Sequence, residues 1–184
     1  MANESTYCDF TKKLDKNNIN KIYHDTQYGY PLNCDNELFG RLILEINQAG
    51  LSWNTILNKQ ENFRKAYSNF SIKKIANYND KARERLLNDT GIVRNRLKIN
   101  AVIHNAQILI EIQKKFGSFQ FWLNNNHPKT KEEWVKLFKK TFKFTGGEIT
   151  NEFLMSTGYL EGAHQKNCTI YKKILKEKPK WSTN

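Results

Sequence analysis

The stretch Leu86-Leu87-Asn88-Asp89-Thr90-Gly91-Ile92-Val93-Arg94-Asn95-Arg96-Leu97-Lys98 sets one glycine between two helix-forming runs and follows it with Arg94, Arg96 and Lys98. Before it, Asp80 to Asn88 carries Leu86 and Leu87. After it, the longest helical pattern of the chain runs from about Arg94 to Lys115, with Val102, Ile103, Ala106, Leu109 and Ile110 on one face and Gly117 as its stop. A short glycine turn that opens a helix presents backbone N–H groups and the positive end of the helix dipole, which together suit a phosphate. An ordinary interhelical turn carries the same glycine. The cations that follow tilt the reading towards a DNA backbone.

Outward from this hairpin the chain reads as helices throughout. Asp35 is expected to cap a helix at 36–49, where Leu38, Phe39, Leu42, Ile43 and Ile46 form an apolar stripe that Gly50 ends. Further helices are expected at about 60–69, 72–78, 118–123, 130–142, 147–157 and 163–176. The three prolines, at 31, 128 and 179, fall between or after these elements. No stretch of five or more residues alternates with β-branched enrichment, so the expected class is all-α. One domain over 1–184 is expected from length, with a core at about 8–176 and a frayed tail after Lys176.

Composition narrows the partners. An aromatic content of 12% argues against a disordered chain, and no run of eighteen apolar residues suggests a membrane span. Met1 to Tyr7 lacks the basic and apolar regions of a leader. Three cysteines are a poor disulfide framework and suit a reducing compartment, with thiols free or on a metal. The net charge of +12 is uneven: residues 1–92 hold 13 Lys+Arg against 11 Asp+Glu, and residues 93–184 hold 17 against 7. A basic half invites nucleic acid. Codon drift in an AT-rich genome would produce the same excess, since 24 Lys and 23 Asn far outnumber 6 Arg.

Two groups of residues bear chemistry. His164 and Cys168, four apart on the expected 163–176 helix, would share one face, and Cys8 and His24 lie near the other terminus. Together they make a Cys₂His₂ set suited to tetrahedral zinc; four unrelated residues are the plainer reading. On the 36–49 helix, Glu45 falls seven residues after Leu38 and flanks the apolar stripe. A carboxylate leaning towards a core is paired, serves a ligand, or reaches the rim for water. The following Gln48-Ala49-Gly50-Leu51-Ser52-Trp53 either presents Leu51 and Trp53 outward or makes a helix corner with a buried Trp.

Taken together, the chain resembles the 3-methyladenine DNA glycosylase I family. The resemblance rests on Tyr23-His24-Asp25 with Gly29 and Pro31, on Leu44-Glu45 with Gln48 to Trp53, and on Lys59 to Arg64. It continues through Gly91 to Ile99, Asn105-Ala106, Phe116 to Phe119, and Gly158 followed by His164 and Cys168, so it runs from about Cys8 to Tyr171. It implies an all-α helix-hairpin-helix glycosylase, with one structural zinc on Cys8, His24, His164 and Cys168 joining the terminal segments. Glu45 would hydrogen-bond the flipped base; Tyr23 and Trp53 would line its pocket, with Phe10, Tyr28 and Glu152 alongside. Gly50 and Leu51 would enter the gap in the duplex. Gly91, Arg94, Arg96 and Lys98 would hold the DNA backbone, with a monovalent cation at the hairpin.

The implied reaction is hydrolysis of the N-glycosidic bond of 3-methyladenine in alkylated duplex DNA. A protein of this kind would be cytoplasmic, in a bacterium, working at the nucleoid as a monomer without an obligate protein partner. Related glycosylases that use an Asp on the helix after the hairpin, a hairpin Lys or a four-Cys iron–sulfur loop are not matched: Asp89 is the last Asp, Asn95 stands in the Lys position, and there are three cysteines. A monofunctional hydrolase is therefore expected. Phe10 stands where the family has Trp, Gln27-Tyr28 where it has Glu-Trp, and Glu152 where it has a small hydroxylated residue. Two other readings stand beside this one: the same fold acting on another damaged purine, and a zinc-stapled DNA-binding module without activity.

Overall fold

In the computed structural model, which describes residues 6–183, the described residues form twelve α-helices and two short 3-10 turns with no strand among them. The all-α expectation holds. The chain divides into two compact units, one from Met1–Pro31 with Leu154–Asn184 and one from Leu32–Phe153. The expected 1–184 domain includes residues 1–5 and 184, as does the reading of the N-terminus; those positions lie outside the described residues.

The larger unit is built around α3 (Asp35–Gln48), in which every residue from Leu38 to Asn47 is buried. The expected apolar stripe is thus a helix enclosed on all sides, which draws Arg41, Glu45 and Asn47 into the interior. Asp35 is not the cap of this helix. Cys34 holds that position without a side-chain bond. The Asp35 carboxylate instead accepts from the backbone N–H of Phe119 (2.8 Å) and Gln120 (3.0 Å) and from the side chain of Gln113 (2.6 Å). It therefore satisfies the first-turn N–H groups of a helix more than eighty residues away, beside that helix's own cap, Ser118.

After α3 come α4 (Trp53–Asn58) and α5 (Gln60–Ala66), then a 3-10 turn at Ser68–Phe70. Next come α6 (Ile72–Ala76), α7 (Asp80–Asn88) and α8 (Arg96–Phe116). Helix α8 begins two residues later than expected because Asn95 caps it, its side chain accepting from Lys98 N–H (3.1 Å). Ile112 is buried on its inner face, whereas Ile110 is half-buried. α9 (Phe119–Asn126), α10 (Lys131–Thr141) and the first part of α11 (Gly147–Ser156) complete the unit. Phe119, Trp122, Phe138, Phe142 and Phe153 pack together there, some stacked and some edge-on, with ring centroids 5.3–6.1 Å apart.

The smaller unit holds α1 (Tyr7–Lys12), α2 (Ile19–Thr26), the end of α11 and α12 (Thr169–Lys176). No helix is expected from the sequence at the positions of α1, α2 and α4. The expected helix at 163–176 starts only at Thr169; residues 163–168 are loop and turn. The tail is also placed. Trp181 N–H donates to the Gly158 carbonyl (3.3 Å), its ring lies 5.8 Å from that of Tyr171, and Pro179 is buried.

Candidate metal centre and candidate active site

In the smaller unit, Cys8, His24, His164 and Cys168 are all buried, and their donor atoms lie within 4.8 Å of one another. Cys8 comes from α1 and His24 from α2. His164 and Cys168 meet through a loop and not through a helix face: a turn closed by Cys168 N–H to the Gln165 carbonyl (2.9 Å) returns the chain at the required spacing. Cys8 Sγ is 3.3 Å from His24 Nε2 and 3.7 Å from His164 Nδ1, and Cys168 Sγ is 3.8 Å from each of the same nitrogens. The remaining ring nitrogens are engaged, His24 Nδ1 with Asp25 Oδ1 (2.6 Å) and His164 Nε2 with the Tyr28 carbonyl (2.8 Å). This outer shell sets which nitrogen of each imidazole faces the cluster. It also explains the sequence Tyr23-His24-Asp25, whose Asp was not singled out. Burial raises the Cys8 thiol and pushes His164 down to about 4. Four donors facing one point can hold a metal ion.

Gly29 belongs to the same unit, and its φ of +83° is one that side chains rarely adopt. A Cβ there would lie 2.9 Å from the Ala163 Cβ, beside the His164 loop. Around the cluster lie Tyr7, Tyr23, Tyr28 and Phe10. Tyr7 ring contacts reach Phe10 (6.2 Å), Tyr23 (6.5 Å) and Tyr28 (5.7 Å). Tyr23 and Tyr28 are buried, and Phe10 is exposed. Tyr7 was not expected to take part.

In the larger unit, Glu45 is 4% exposed, near the end of α3. Burial raises its carboxyl to about 8, opposed by the charge of Arg41 and aided by that of Glu152 on α11. Past α3 the chain makes a type II turn: Ala49 has φ −50° and ψ 117°, Gly50 has φ +80°, and Leu51 N–H donates to the Gln48 carbonyl (2.7 Å). Space around Gly50 is open, so its positive φ is what requires glycine. Leu51 is 40% exposed at the tip, while Trp53, opening α4, is half-buried. Leu51 therefore faces outward as one reading expected, while Trp53 is neither presented outward nor fully buried.

The hairpin between α7 and α8 leaves Arg94, Asn95, Arg96 and Leu97 exposed. One expectation changes here. Lys98 is 5% exposed, and its ammonium donates to the carbonyls of Asn47 (2.9 Å) and Ala49 (2.6 Å), so it is spent on protein and not on phosphate. The hairpin carbonyls of Thr90 and Gly91 accept from Lys59 Nζ (3.0 and 3.2 Å), so a side-chain ammonium engages both. Gly91 N–H is engaged by Asp89 Oδ1 (2.8 Å). Neither lysine bears a sequence signal for these roles.

Among the described residues the fold is all-helical, with a buried Cys₂His₂ group able to hold a metal ion, an enclosed glutamate and a glycine hairpin. Residues 13–136 match the model of the methyladenine glycosylase family, and the chain belongs to that family. It is 33% identical over 168 residues to DNA-3-methyladenine glycosylase 1 of Escherichia coli strain K12, covering 81% of this chain and 89% of that enzyme. It is 32% identical over 165 residues to DNA-3-methyladenine glycosylase of Haemophilus influenzae, covering 79% and 89%. Among solved structures it superposes on 3-methyladenine DNA glycosylase I from Staphylococcus aureus, solved for the basis of 3-methyladenine recognition. The TM-score is 0.76 at 31% identity, covering 85% of this chain and 93% of that one.

Proposed function

We propose that this protein is a monofunctional DNA glycosylase that hydrolyses the N-glycosidic bond of 3-methyladenine in alkylated duplex DNA, the first step of base excision repair. The observation that carries the reading is Glu45, a carboxyl enclosed in the interior three residues before a turn that displays Leu51. A fold tolerates a buried ionisable group at a cost in stability, and functional sites are where that cost is met.

The chemistry follows from charge. A 3-methylated adenine in DNA is cationic, so breaking its bond to the sugar needs no proton from the enzyme. The bonding pair stays on the base, which leaves neutral, and positive charge passes to the sugar. Water adds to the sugar carbon and loses a proton. The protein's share is to extrude the base, hold it and stabilise the positive charge. Glu45 takes the polar contact to the base and, ionised, favours the developing cation. Tyr23, Tyr28, Phe10 and Trp53 are assigned as the aromatic faces for a cationic ring, and Glu152 as a further charge for it. Leu51 enters the duplex on the Gly50 turn, and Arg94 and Arg96 hold phosphates beside the hairpin in a helix-hairpin-helix arrangement.

Zinc is the proposed occupant of the cluster. With zinc–sulfur bonds of about 2.3 Å and zinc–nitrogen bonds of about 2.05 Å, the sulfur–nitrogen edge of a tetrahedron is about 3.6 Å. The four edges here are 3.3, 3.7, 3.8 and 3.8 Å. A closed set of four protein donors leaves no position for substrate, so its role is to hold together segments from the two ends of the chain. Among the described residues no helix is long and apolar enough to cross a membrane. A monomer acting on DNA in the bacterial cytoplasm, without an obligate protein partner, completes the proposal.

The deciding experiment is chromatography of free bases released from alkylated duplex DNA. Release of 3-methyladenine is expected. Release of a different purine alone would move the activity to another lesion, and tight binding with no release would leave a DNA-binding module.

A further inference from the structure

The last carbonyls of a helix have no partner within it and must find donors elsewhere. At the end of α3, Leu51 N–H takes the Gln48 carbonyl, and Lys98 takes those of Asn47 and Ala49. The second is the costly solution. A lysine side chain enclosed in this way has given up water around its charge, and burial lowers its pKa. A methionine would fill the same volume without that cost. What the lysine adds is a pair of short, charge-assisted hydrogen bonds to two carbonyls just before Gly50.

Its place in the chain gives those bonds a direction. Lys98 lies in the first turn of α8, immediately after the hairpin, and its own N–H is bonded to the Asn95 cap. A second lysine makes the reciprocal connection. Lys59 follows α4 directly and grips the hairpin carbonyls of Thr90 and Gly91. The path from the Gln48–Leu51 turn runs along α4 to Lys59, across to the hairpin, into α8, and through Lys98 back to the same turn. All of it lies in the larger unit.

We propose that Lys98 is a positioning residue for DNA engagement: with Lys59 it fixes the Leu51 turn relative to the hairpin, so that gripping phosphates delivers Leu51 to the base step being opened. The proposal rests on the reading that Leu51 enters the duplex and the hairpin grips its backbone. A side chain that must unstack one base step works only at a set distance from the phosphates that anchor it. A misplacement of about 1 Å in such a device costs up to about 10²-fold in rate.

The test compares Lys98→Met, Lys98→Arg, Lys59→Met and Leu51→Ala in the full chain. Three quantities are read: affinity for free 3-methyladenine, affinity for duplex, and single-turnover excision from duplex containing 3-methyladenine. Lys98→Met is expected to keep free-base and duplex affinity while excision falls about tenfold or more. Fluorescence of a 2-aminopurine beside the lesion, which brightens on unstacking, is expected to fall with it. Lys98→Arg is expected to recover part of the rate. Excision at the wild-type rate in Lys98→Met with Leu51→Ala impaired overturns the proposal and leaves the wedge reading standing. Wild-type excision in Leu51→Ala overturns both. Parallel loss of free-base affinity and excision in Lys98→Met makes Lys98 merely structural and also overturns it. If Lys98→Met does not fold, Lys59→Met decides, since it cuts the same circuit at a less buried position: reduced excision with free-base affinity retained supports the proposal, and unchanged excision overturns it.

Discussion

Glu45 titrates in a way that ties stability to activity. Its folded-state pKa, about 8, lies above the ordinary 4.5. Between those values the folded chain keeps a proton that the unfolded chain has released, so this site's contribution is full at low pH and is lost as pH rises towards 8. Glu45→Gln removes the titration. It is expected to melt with wild type near pH 4.5 and above it at pH 8, by about 3 °C for each kcal/mol gained in a domain of this size, as calorimetry would read. Activity runs the opposite way. Single-turnover excision by wild type is expected to rise with pH as Glu45 ionises, with an apparent pKa below about 8 because a cationic base opposes protonation. Glu45→Gln is expected to show a flat profile at a rate lower by about 10²-fold. A flat wild-type profile, or a Glu152→Gln variant that is dead while Glu45→Gln excises normally, would move the role to Glu152. Gly50→Ala tests the turn: with open space around the site, the cost is that of a positive φ alone, about 1 kcal/mol by denaturant titration.

At the scale of elements, the hairpin and the metal cluster make separable predictions. Replacing Arg94 and Arg96 together by Ala is expected to flatten the log–log salt dependence of duplex binding by up to about two phosphates' worth. An unchanged slope would mean that the basic charge of this half is compositional. Because the Lys98 ammonium is buried on backbone carbonyls, it is not expected to add to that slope. In the smaller unit, one zinc per chain is expected by elemental analysis, and Cys168→Ala is expected to lower metal content and melting temperature together. Metal content that stays at one per chain in that variant would remove Cys168 from the ligand set. The loop carrying His164 and Cys168 shows why spacing alone misled: an i, i+4 pair suggests a helix face, yet His164 is turned by its bond to the Tyr28 carbonyl, and the Gln165–Cys168 turn does the rest.

For the whole molecule, the two units are not two successive stretches of chain. The smaller is made from both ends, and the chain crosses between units near Pro31 and again inside α11. A helix cannot melt on one side of such a boundary without loss on the other, so we expect a single unfolding transition by calorimetry, with calorimetric and van't Hoff enthalpies equal. Chelation is expected to lower that transition as a whole. Two resolved transitions would show that the units fold independently.

What the sequence alone determined is what short-range rules govern. The periodicity of α8, its stop at Gly117, the glycine hairpin and the buried stripe of α3 all depend on residues within a few positions of one another. The tertiary structure decided the partners. Asp35 looks like the cap of its own helix and satisfies the first N–H groups of α9; Lys98 looks like a phosphate ligand and closes α3; Lys59 has no motif and holds the hairpin. Each of these side chains satisfies a backbone group at least thirty residues away. A helix end requires some donor or acceptor but does not encode which one, so that choice falls to whichever charged side chain the packed core brings within reach.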